Sequence, residues 1–262
     1  MLAQIRQAEI LFTVNKQGAA KVRELANLLN VSEMTVRRDI EILAEQGLID
    51  KVHGGATSLA SSSSTEPTFS SKALRESDTK DAIAKRAVQF VEPGMAIALS
   101  GGTTTHALAR LLVDVPGITV VTNSIPAADT LHTFGRDDQT VVLTGGMRTN
   151  SDALVGSVVV NTMSSLHVDL LFMGVYGMNV EAGFTTPNLT EAETNKALIR
   201  STRSLVVLAD HTKWNTTGLS TIASLSQASV IVSDTKLPNE ACEAIREKNV
   251  ELILAETKSF EK

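Results

Sequence analysis

The chain has 262 residues, 43% of them hydrophobic, and a formal net charge of −5. This length and composition allow a large buried core and more than one small domain, and the negative charge argues against a polycation that coats nucleic acid. The lack of a membrane-length apolar run or a signal stretch predicts a cytoplasmic protein, and the single cysteine, Cys242, with five scattered histidines, predicts no disulfide framework and no metal site.

Residues 22–40 have the pattern of two short amphipathic helices joined by a tight break. The first has apolar residues at helical spacing, at Val22, Leu25, Ala26 and Leu29. Ser32 stands where an N-cap belongs, so the second helix is expected to begin there. One face of that helix is expected to carry Val36, Ile40, Leu43 and Gly47, the opposite face Met34, Arg38 and Glu41, and the flanks Thr35 and Arg37.

This pattern is typical of a helix-turn-helix, whose second helix enters the DNA major groove with its N-terminal residues near the base edges. Arginine can bond a guanine edge or a phosphate, and the hydroxyls of Ser32 and Thr35 can donate to phosphate oxygens. The alternative is an ordinary amphipathic helix pair with Arg37 and Arg38 on a solvated face.

The next segment, LIDKVHGGATSL, alternates around Gly54 and Gly55 and predicts a two-stranded hairpin. A helix-turn-helix followed by a hairpin is a winged helix, and the wing would bring Lys51 and His53 within reach of phosphate. For His53, a turn histidine bonded to the backbone is an equally good interpretation.

These motifs resemble the amino-terminal signature of the DeoR family of bacterial sugar-metabolism regulators. The resemblance is carried by Arg6-x3-Ile10-x3-Val14, by the run from Ser32 through Thr35-Val36-Arg37-Arg38-Asp39-Ile40, and by HGGA at residues 53–56. Lys51 departs from the family, which more often has arginine there; the charge is kept and the planar fork is lost. We therefore predict DNA contacts from Ser32, Met34, Thr35, Arg37, Arg38, Lys51 and His53.

Charge is distributed unevenly along the chain. Residues 1–60 hold seven Lys/Arg and seven Asp/Glu, whereas the remaining 202 residues hold 17 against 22. Because the larger, acidic part repels DNA, contact should be confined to the patch around Arg37, Arg38 and Lys51. Specific binding to double-stranded DNA by a homo-oligomer, a dimer or tetramer, is therefore expected over binding by a monomer.

The polar stretch SLASSSSTEP predicts a flexible linker that divides the chain into two domains. The alternative is a long loop within one domain. We predict a winged helix-turn-helix domain at 1–57, a linker at 58–77 and an effector domain at 78–262. In the last part, seven apolar runs alternate with helical segments such as 81–91 and 190–202, which predicts a mostly parallel α/β sheet covered on both faces. The predicted strands are 95–100, 118–123, 140–146, 169–175, 204–210, 229–234 and 250–256.

Ligands of such sheets bind beyond the carboxyl ends of the strands, where this chain has small polar residues that suit a phosphate. Tight turns also need glycine, but four such ends favour a pocket for a phosphorylated ligand. The predicted contacts at these ends are Ser100, Gly101, Gly102, Thr103, Thr104, Thr105, Asn123, Ser124, Gly145, Gly146 and Gly177.

Charged residues complete the predicted effector site. Lys213 could pair with a phosphate, and Arg148 could reach the same rim. Lys196 is at least as readily a solvated helix lysine, and Asp152 could bind a sugar hydroxyl or cap a helix after Asn150.

This part of the chain resembles the DeoR effector domain across most of residues 75–256, through GTTTHALA, VTNS, LTGG, the D-x3-F-x-G run from Asp169 and the AD-x2-K run ending at Lys213. The resemblance implies a fold similar to ribose-5-phosphate isomerase and a sugar phosphate as effector, with no other cofactor. Ser100 departs from the family, which commonly has aspartate there.

Two functions follow as hypotheses. In the first, the chain is a DNA-binding transcription regulator, a repressor, that a sugar phosphate switches and that has no enzymatic activity. In the second, the larger domain is an active sugar-phosphate isomerase or deaminase, with Glu191 and Lys213 as base and cation. The replacement of an acidic candidate by Ser100 favours the regulator.

Overall fold

A computed structural model describes residues 2–17, 19–52, 54–58, 69–74 and 76–257. The chain forms two compact units, Met1–Ser62 and Ser63–Lys262. His53 and most of the predicted linker, residues 59–68 and 75, lie outside the described residues. None of the described helices is long and apolar enough to cross a membrane.

The first unit packs three helices against a small antiparallel sheet of strand order β1-β3-β2. The predicted hairpin is present as β2 and β3, and β1 adds a strand that the sequence pattern did not predict. In chain order, the elements are α1 (Ala3–Gln17), β1 (Ala19–Lys21), α2 (Val22–Leu29), α3 (Glu33–Glu45), β2 (Ile49–Val52) and β3 (Gly55–Ser58).

The predicted apolar faces of α2 and α3 form the core of this unit. The four residues predicted for the apolar face of α2 are buried, and they share one cluster with Val36, Ile40 and Leu43 of α3. The assignment of Gly47 to that helix face was wrong. The helix ends at Glu45, and Gly47 has a φ of +65°, a left-handed conformation that cannot continue an α-helix.

The second unit is built around a seven-stranded sheet of order β15-β14-β12-β9-β4-β5-β6, in which every neighbouring pair is parallel. Its strands coincide with the seven predicted runs, which confirms the α/β class. They are β4 (Ala96–Leu99), β5 (Thr119–Thr122), β6 (Thr140–Leu143), β9 (Val168–Gly174), β12 (Thr202–Leu208), β14 (Val230–Asp234) and β15 (Glu251–Ala255).

Helices cover both faces of this sheet, where two separate apolar clusters form the core. The first helix, α4, lies within the stretch assigned to the linker. The helices are α4 (Phe69–Leu74), α5 (Ser77–Ala87), α6 (Thr103–Leu112), α7 (Ile125–Phe134), α8 (Ser157–Ser164), α9 (Leu189–Arg200) and α10 (Asn239–Glu247).

Short strands at the periphery were not predicted. They form an antiparallel sheet of order β10-β11-β13 and the pair β7-β8. Their bounds are β7 (Met147–Arg148), β8 (Leu154–Val155), β10 (Gly177–Asn179), β11 (Gly183–Thr186) and β13 (Ser220–Ala223).

The sheet grows in opposite directions from the neighbouring parallel strands β4 and β9. From β4 the chain proceeds through β5 to β6 on one side, and then returns to β9 and proceeds through β12 and β14 to β15 on the other. The crevice at the carboxyl ends of β4 and β9 is therefore the topological switch point, where open α/β sheets bind their ligands.

Candidate functional sites

Helix α3, here called the reader helix, begins with two interacting hydroxyls. The Ser32 Oγ accepts a hydrogen bond from the Thr35 amide at 3.2 Å and lies 2.9 Å from the Thr35 Oγ1. This is the expected N-cap. Ser32 remains exposed, and the Met34 side chain is 75% exposed in the same turn. The start of the reader helix thus has one polar and one apolar side chain exposed to solvent.

The three predicted cations of this unit differ in their partners. The Arg37 guanidinium lies 3.3 Å from Glu33, and the Lys51 ammonium lies 2.5 Å from Glu41. The hydrogen bond from Lys51 lowers the pKa of Glu41 below its ordinary value. Arg38 is exposed and has no carboxylate partner among the residues that the structure describes. Of the three, Arg38 is the one whose guanidinium is available without breaking an ion pair.

Part of the amino-terminal signature has a structural role. Asp39 is buried, and the Arg6 guanidinium donates to both of its oxygens, at 2.5 and 3.2 Å. The Gln7 Nε2 donates to the same carboxylate at 3.1 Å. This hydrogen-bonded ion pair ties α1 to the buried side of the reader helix, so it fixes the helix that would meet DNA.

Two further cations, which the sequence analysis did not select, lie at the start of α2. Lys21 and Arg23 are exposed, and neither side-chain cation forms an ion pair with a carboxylate within the described part of the chain, although the Lys21 amide donates to Glu24 Oε2 at 3.3 Å. The amide of Val22, between them, donates to the Gly54 carbonyl at 2.9 Å, which places them beside the turn of the wing. In a helix-turn-helix the first helix crosses the DNA backbone, and that expectation could have identified both residues.

At the switch point of the sheet, the side chains of several predicted ligand contacts form hydrogen bonds with the backbone. The buried Ser100 Oγ accepts a hydrogen bond from the Gly174 amide at 3.1 Å, which joins the ends of β4 and β9. The Asn123 Oδ1 accepts from the Gly101 amide at 2.9 Å, and its Nδ2 donates to the Leu154 carbonyl at 2.8 Å. These side chains shape the loop at residues 100–105, here called the strand-end loop.

The same holds for two other hydroxyls near this loop. Thr105 donates to the carbonyls of Ser100 and Gly102, and Ser124 caps α7 by accepting from the Ala127 amide at 3.3 Å. The amides of Thr103 and Thr104 precede the first hydrogen bond of α6, and neither their amides nor their hydroxyls bond another described residue. Backbone amides at a helix start, with adjacent hydroxyls, suit an anion.

The β7-β8 turn corrects one expectation. Asp152 caps no helix, because the chain turns there between two short strands and Asp152 itself has a φ of +57°. Its carboxylate instead pairs with Arg148 at 2.7 Å. Gly145 and Gly146, just before the turn, have φ values of +76° and +120°, so a backbone requirement explains both glycines.

The remaining predicted effector contacts, Lys196, Gly177 and Lys213, also differ in their partners. The Lys196 ammonium lies 2.9 Å from Glu193 on its own helix. Gly177 allows a close backbone approach, since a Cβ there would lie 2.0 Å from the Thr216 carbonyl oxygen. Lys213 is half-buried in a 3₁₀ turn after β12, and no described carboxylate lies within ion-pair distance of it.

One constellation near Lys213 was missed. His211 Nδ1 lies 2.9 Å from the fully buried Asp234 Oδ2, and the His211 amide donates to the other oxygen at 2.7 Å. The two residues are 23 positions apart, at the ends of β12 and β14, so sequence spacing gave no signal. Among the described residues, no group of three or more His, Cys, Asp or Glu side chains could hold a metal ion.

Comparison with protein families gives one match for each unit. A family described as "DeoR-like helix-turn-helix domain" matches residues 6–62, and "DeoR C terminal sensor domain" matches residues 75–235. The chain belongs to the DeoR family. DeoR membership makes the first unit the DNA-binding part of a transcription regulator and the second its sensor, as the sequence predicted.

Full-length DeoR-type relatives support this assignment. The chain is 32% identical to the HTH-type transcriptional regulator GolR of Listeria innocua, over 96% of this chain and 98% of that protein. It is 33% identical to the HTH-type transcriptional regulator GlpR of Haloferax volcanii, over 97% and 98%. It is 28% identical to the glycerol-3-phosphate regulon repressor of Escherichia coli, over 95% and 98%.

Among solved structures, the chain is similar to ribose 5-phosphate isomerase A of Methanocaldococcus jannaschii, with 19% identity and a TM-score of 0.39. The similarity covers 53% of this chain and 55% of that one. A likeness at this level carries no information about activity.

Proposed function

We propose that this DeoR-type regulator is a repressor of sugar-metabolism genes. A phosphorylated sugar bound in its second unit would lower its affinity for the operator. One observation carries the effector part. The strand-end loop leaves the Thr103 and Thr104 amides and hydroxyls unbonded within the described chain, at the switch point of the sheet. The E. coli relative named as a glycerol-3-phosphate regulon repressor supports a phosphorylated small molecule as the signal.

On the DNA side, Arg38 is the residue best placed to read a base, because it is exposed and needs no ion pair broken. Met34 can contact an apolar base edge, and Ser32 and Thr35 can bond phosphate oxygens. Lys21 and Arg23 would supply phosphate contacts beside the wing. Because only a few of the described cations in this unit lack a carboxylate partner, a single copy makes a small interface, so we infer a homo-oligomer that binds two half-sites of a double-stranded operator.

On the effector side, the ligand phosphate would bind the Thr103 and Thr104 amides at the start of α6, and Lys213 would supply the positive charge. Arg148 and Lys196 are already paired and would contribute less. The proposal requires no metal and no cofactor besides the sugar phosphate, and no enzymatic turnover. The site of action would be the cytoplasm, where the operator is.

The test combines ligand and DNA binding on the full chain. We expect at least one of glycerol 3-phosphate, ribose 5-phosphate, fructose 6-phosphate or glucosamine 6-phosphate to raise the melting temperature, and inorganic phosphate to raise it less. The same compound should release the protein from the DNA upstream of its own operon in a gel shift. Steady conversion of any of these sugars by the purified protein would contradict the proposal, as would DNA binding that none of them changes.

A further inference from the structure

Helix α4 is the first described element after residues 59–68, which follow the DNA-binding unit in the chain, and it contacts two segments of the candidate effector site. The Phe69 ring meets the His106 ring edge-to-face, with centroids 5.5 Å apart and planes at 75°. The Phe69 amide donates to the Asn150 carbonyl at 3.3 Å. The residue that opens α4 thus touches both segments.

The first contact leads into the strand-end loop. His106 lies in the first turn of α6, and its amide donates to the Gly102 carbonyl at 3.1 Å. Its Nε2 lies 3.0 Å from the Thr130 Oγ1 on α7. Burial, and then the charge of Arg110, lower the pKa of His106 below its ordinary value, which favours the neutral form of the ring that Phe69 meets. A ligand that draws on the Thr103 and Thr104 amides acts on the same helical turn.

The second contact leads to the same loop by another path. Asn150 belongs to the β7-β8 turn, and Ala153 of this turn packs so closely on Gly101 that a Cβ on Gly101 would lie 2.5 Å from the Ala153 Cβ. The Leu154 amide donates to the Asn123 carbonyl at 2.7 Å, and the Asn123 side chain holds Gly101. The loop and the turn are therefore joined both by packing and by hydrogen bonds.

The other end of α4 is also attached to the sensor unit. The Lys80 Nζ, buried on α5, donates to the Lys72 carbonyl at 2.6 Å. Because α4 has only six residues, a displacement at Phe69 would be transmitted along the helix to the contact at Lys72. In the sequence, Phe69 at the start of α4 directly follows residues 59–68, which connect it to the DNA-binding unit.

We propose that α4 couples effector binding to DNA affinity, and that Phe69 is the residue whose position changes with the conformation of the strand-end loop. This inference rests on the proposed function and adds its mechanism of regulation. The anion tightens the first turn of α6 and, through Gly101, the β7-β8 turn. Both changes move their contacts on Phe69 and so displace α4, which is the first described element after the DNA-binding unit in the sequence. Phe69 is thus a positioning residue and touches no ligand.

The test is Phe69→Ala in the full chain, with DNA affinity measured by fluorescence anisotropy on the upstream DNA. Glycerol 3-phosphate, ribose 5-phosphate, fructose 6-phosphate and glucosamine 6-phosphate are the probes. In the wild type, the active probe should change DNA affinity by about 5- to 150-fold, the usual range of allosteric coupling. In Phe69→Ala that ratio should approach one, while the affinity for DNA without probe and the affinity for the probe stay within about twofold.

Two variants control for general effects. Phe134→Ala removes an equally large ring, 72% exposed on α7, and should keep the wild-type ratio. Phe69→Tyr keeps the edge-to-face ring and should restore most of the coupling. A Phe69→Ala protein that is switched as strongly as wild type would overturn the inference and leave the proposed function intact. Loss of probe binding in Phe69→Ala would also overturn it, because Phe69 would then build the site.

A second measurement needs no variant. Hydrogen exchange of the wild type, with and without the active probe, should show altered protection at residues 69–74 as well as at 103–106. Protection that changes only at 103–106 rejects the coupling role of α4. If no probe raises the melting temperature or changes DNA affinity of the wild type, the proposed function itself fails.

Discussion

The reader helix and the strand-end loop both place hydroxyl residues at the start of a helix, and they use them in opposite ways. Ser32 and Thr35 of the reader helix bond each other at an exposed surface. Ser100 and Thr105 of the loop are buried, and their hydroxyls hold the backbone of neighbouring segments. DNA is a large partner that meets an exposed face, whereas a small anion needs a preformed cradle. In the loop, we therefore expect a ligand to bind the backbone amides that these side chains position.

The cations of the two regions show a parallel difference between paired and free groups. Arg37 and Lys51 in the first unit, and Arg148 and Lys196 in the second, each have a carboxylate partner. Arg38 and Lys213 have none among the described residues. A free cation can bind an anion without first losing a partner, so residue type alone does not identify a contact. A substitution at a free cation, compared with the same substitution at a paired one, should therefore separate the two kinds of group.

The largest effect is expected for Arg6→Ala, which leaves the Asp39 carboxylate buried without its main partner. Because Arg6 is half-buried and Asp39 is buried, breaking this pair on one side should lower the free energy of unfolding by more than an exposed ion pair contributes. Thermal unfolding should show the loss in the first unit, together with loss of operator binding and unchanged effector binding. Arg37→Ala, which breaks an exposed pair, should cost less than about 1 kcal/mol. Equal losses in the two variants would show that the Arg6–Asp39 pair does not anchor the reader helix.

The next effect is expected for Lys213→Ala. A hydrogen bond to a charged group contributes about 1.5–3 kcal/mol, so the affinity for the active sugar phosphate should fall by roughly 10- to 150-fold. Isothermal titration calorimetry measures this, with Lys196→Ala as the matched lysine that is already paired. Operator affinity without effector should be the same in both variants. A larger loss in Lys196→Ala would reverse the assignment of the phosphate ligand.

The main sheet was predictable because its strands are buried on both faces and therefore appear as continuous apolar runs, such as 204–210 and 250–256. The strands β7, β8 and β10 are two or three residues long, and no sequence period can be seen over such lengths. The end of the reader helix was misjudged because Gly47 continues the apolar spacing, while its left-handed conformation terminates the helix.

The candidate site was predictable in composition but not in the role of each residue. The sequence indicated Ser100 and Asn123 as polar residues at strand ends. The hydrogen bond that engages Ser100 comes from Gly174, 74 positions away, so only the folded chain reveals that its hydroxyl accepts from a backbone amide. The pairing of Lys51 with Glu41 depends on how the wing folds against the reader helix and could not be read from spacing either.

A comparable loss is expected on the DNA side for Arg38→Ala. If Arg38 contacts a base edge, operator binding should weaken by about 1–3 kcal/mol, and discrimination at one base position should relax. Effector affinity should not change, because the substitution lies in the other unit. Arg37→Ala, with its guanidinium already paired, should weaken binding less. Operator affinity equal to wild type in Arg38→Ala would show that a different face of the reader helix meets DNA.

The smallest effect is expected for Glu41→Gln, which releases Lys51 on the wing. The freed ammonium can neutralise one more phosphate, so the slope of log affinity against log salt should steepen by about 1 per half-site. Because the pKa of Glu41 is lowered, its carboxylate is ionised and holds Lys51 at neutral pH in the wild type, where the comparison is made. Glu45→Gln removes the same charge from the exposed end of the reader helix without freeing a described cation, and should leave the slope unchanged. If both variants steepen the slope alike, net charge sets the salt dependence and Lys51 makes no contact of its own. A steeper slope for Glu41→Gln alone would mean that the ion pair with Glu41 keeps Lys51 from binding a phosphate in the wild type.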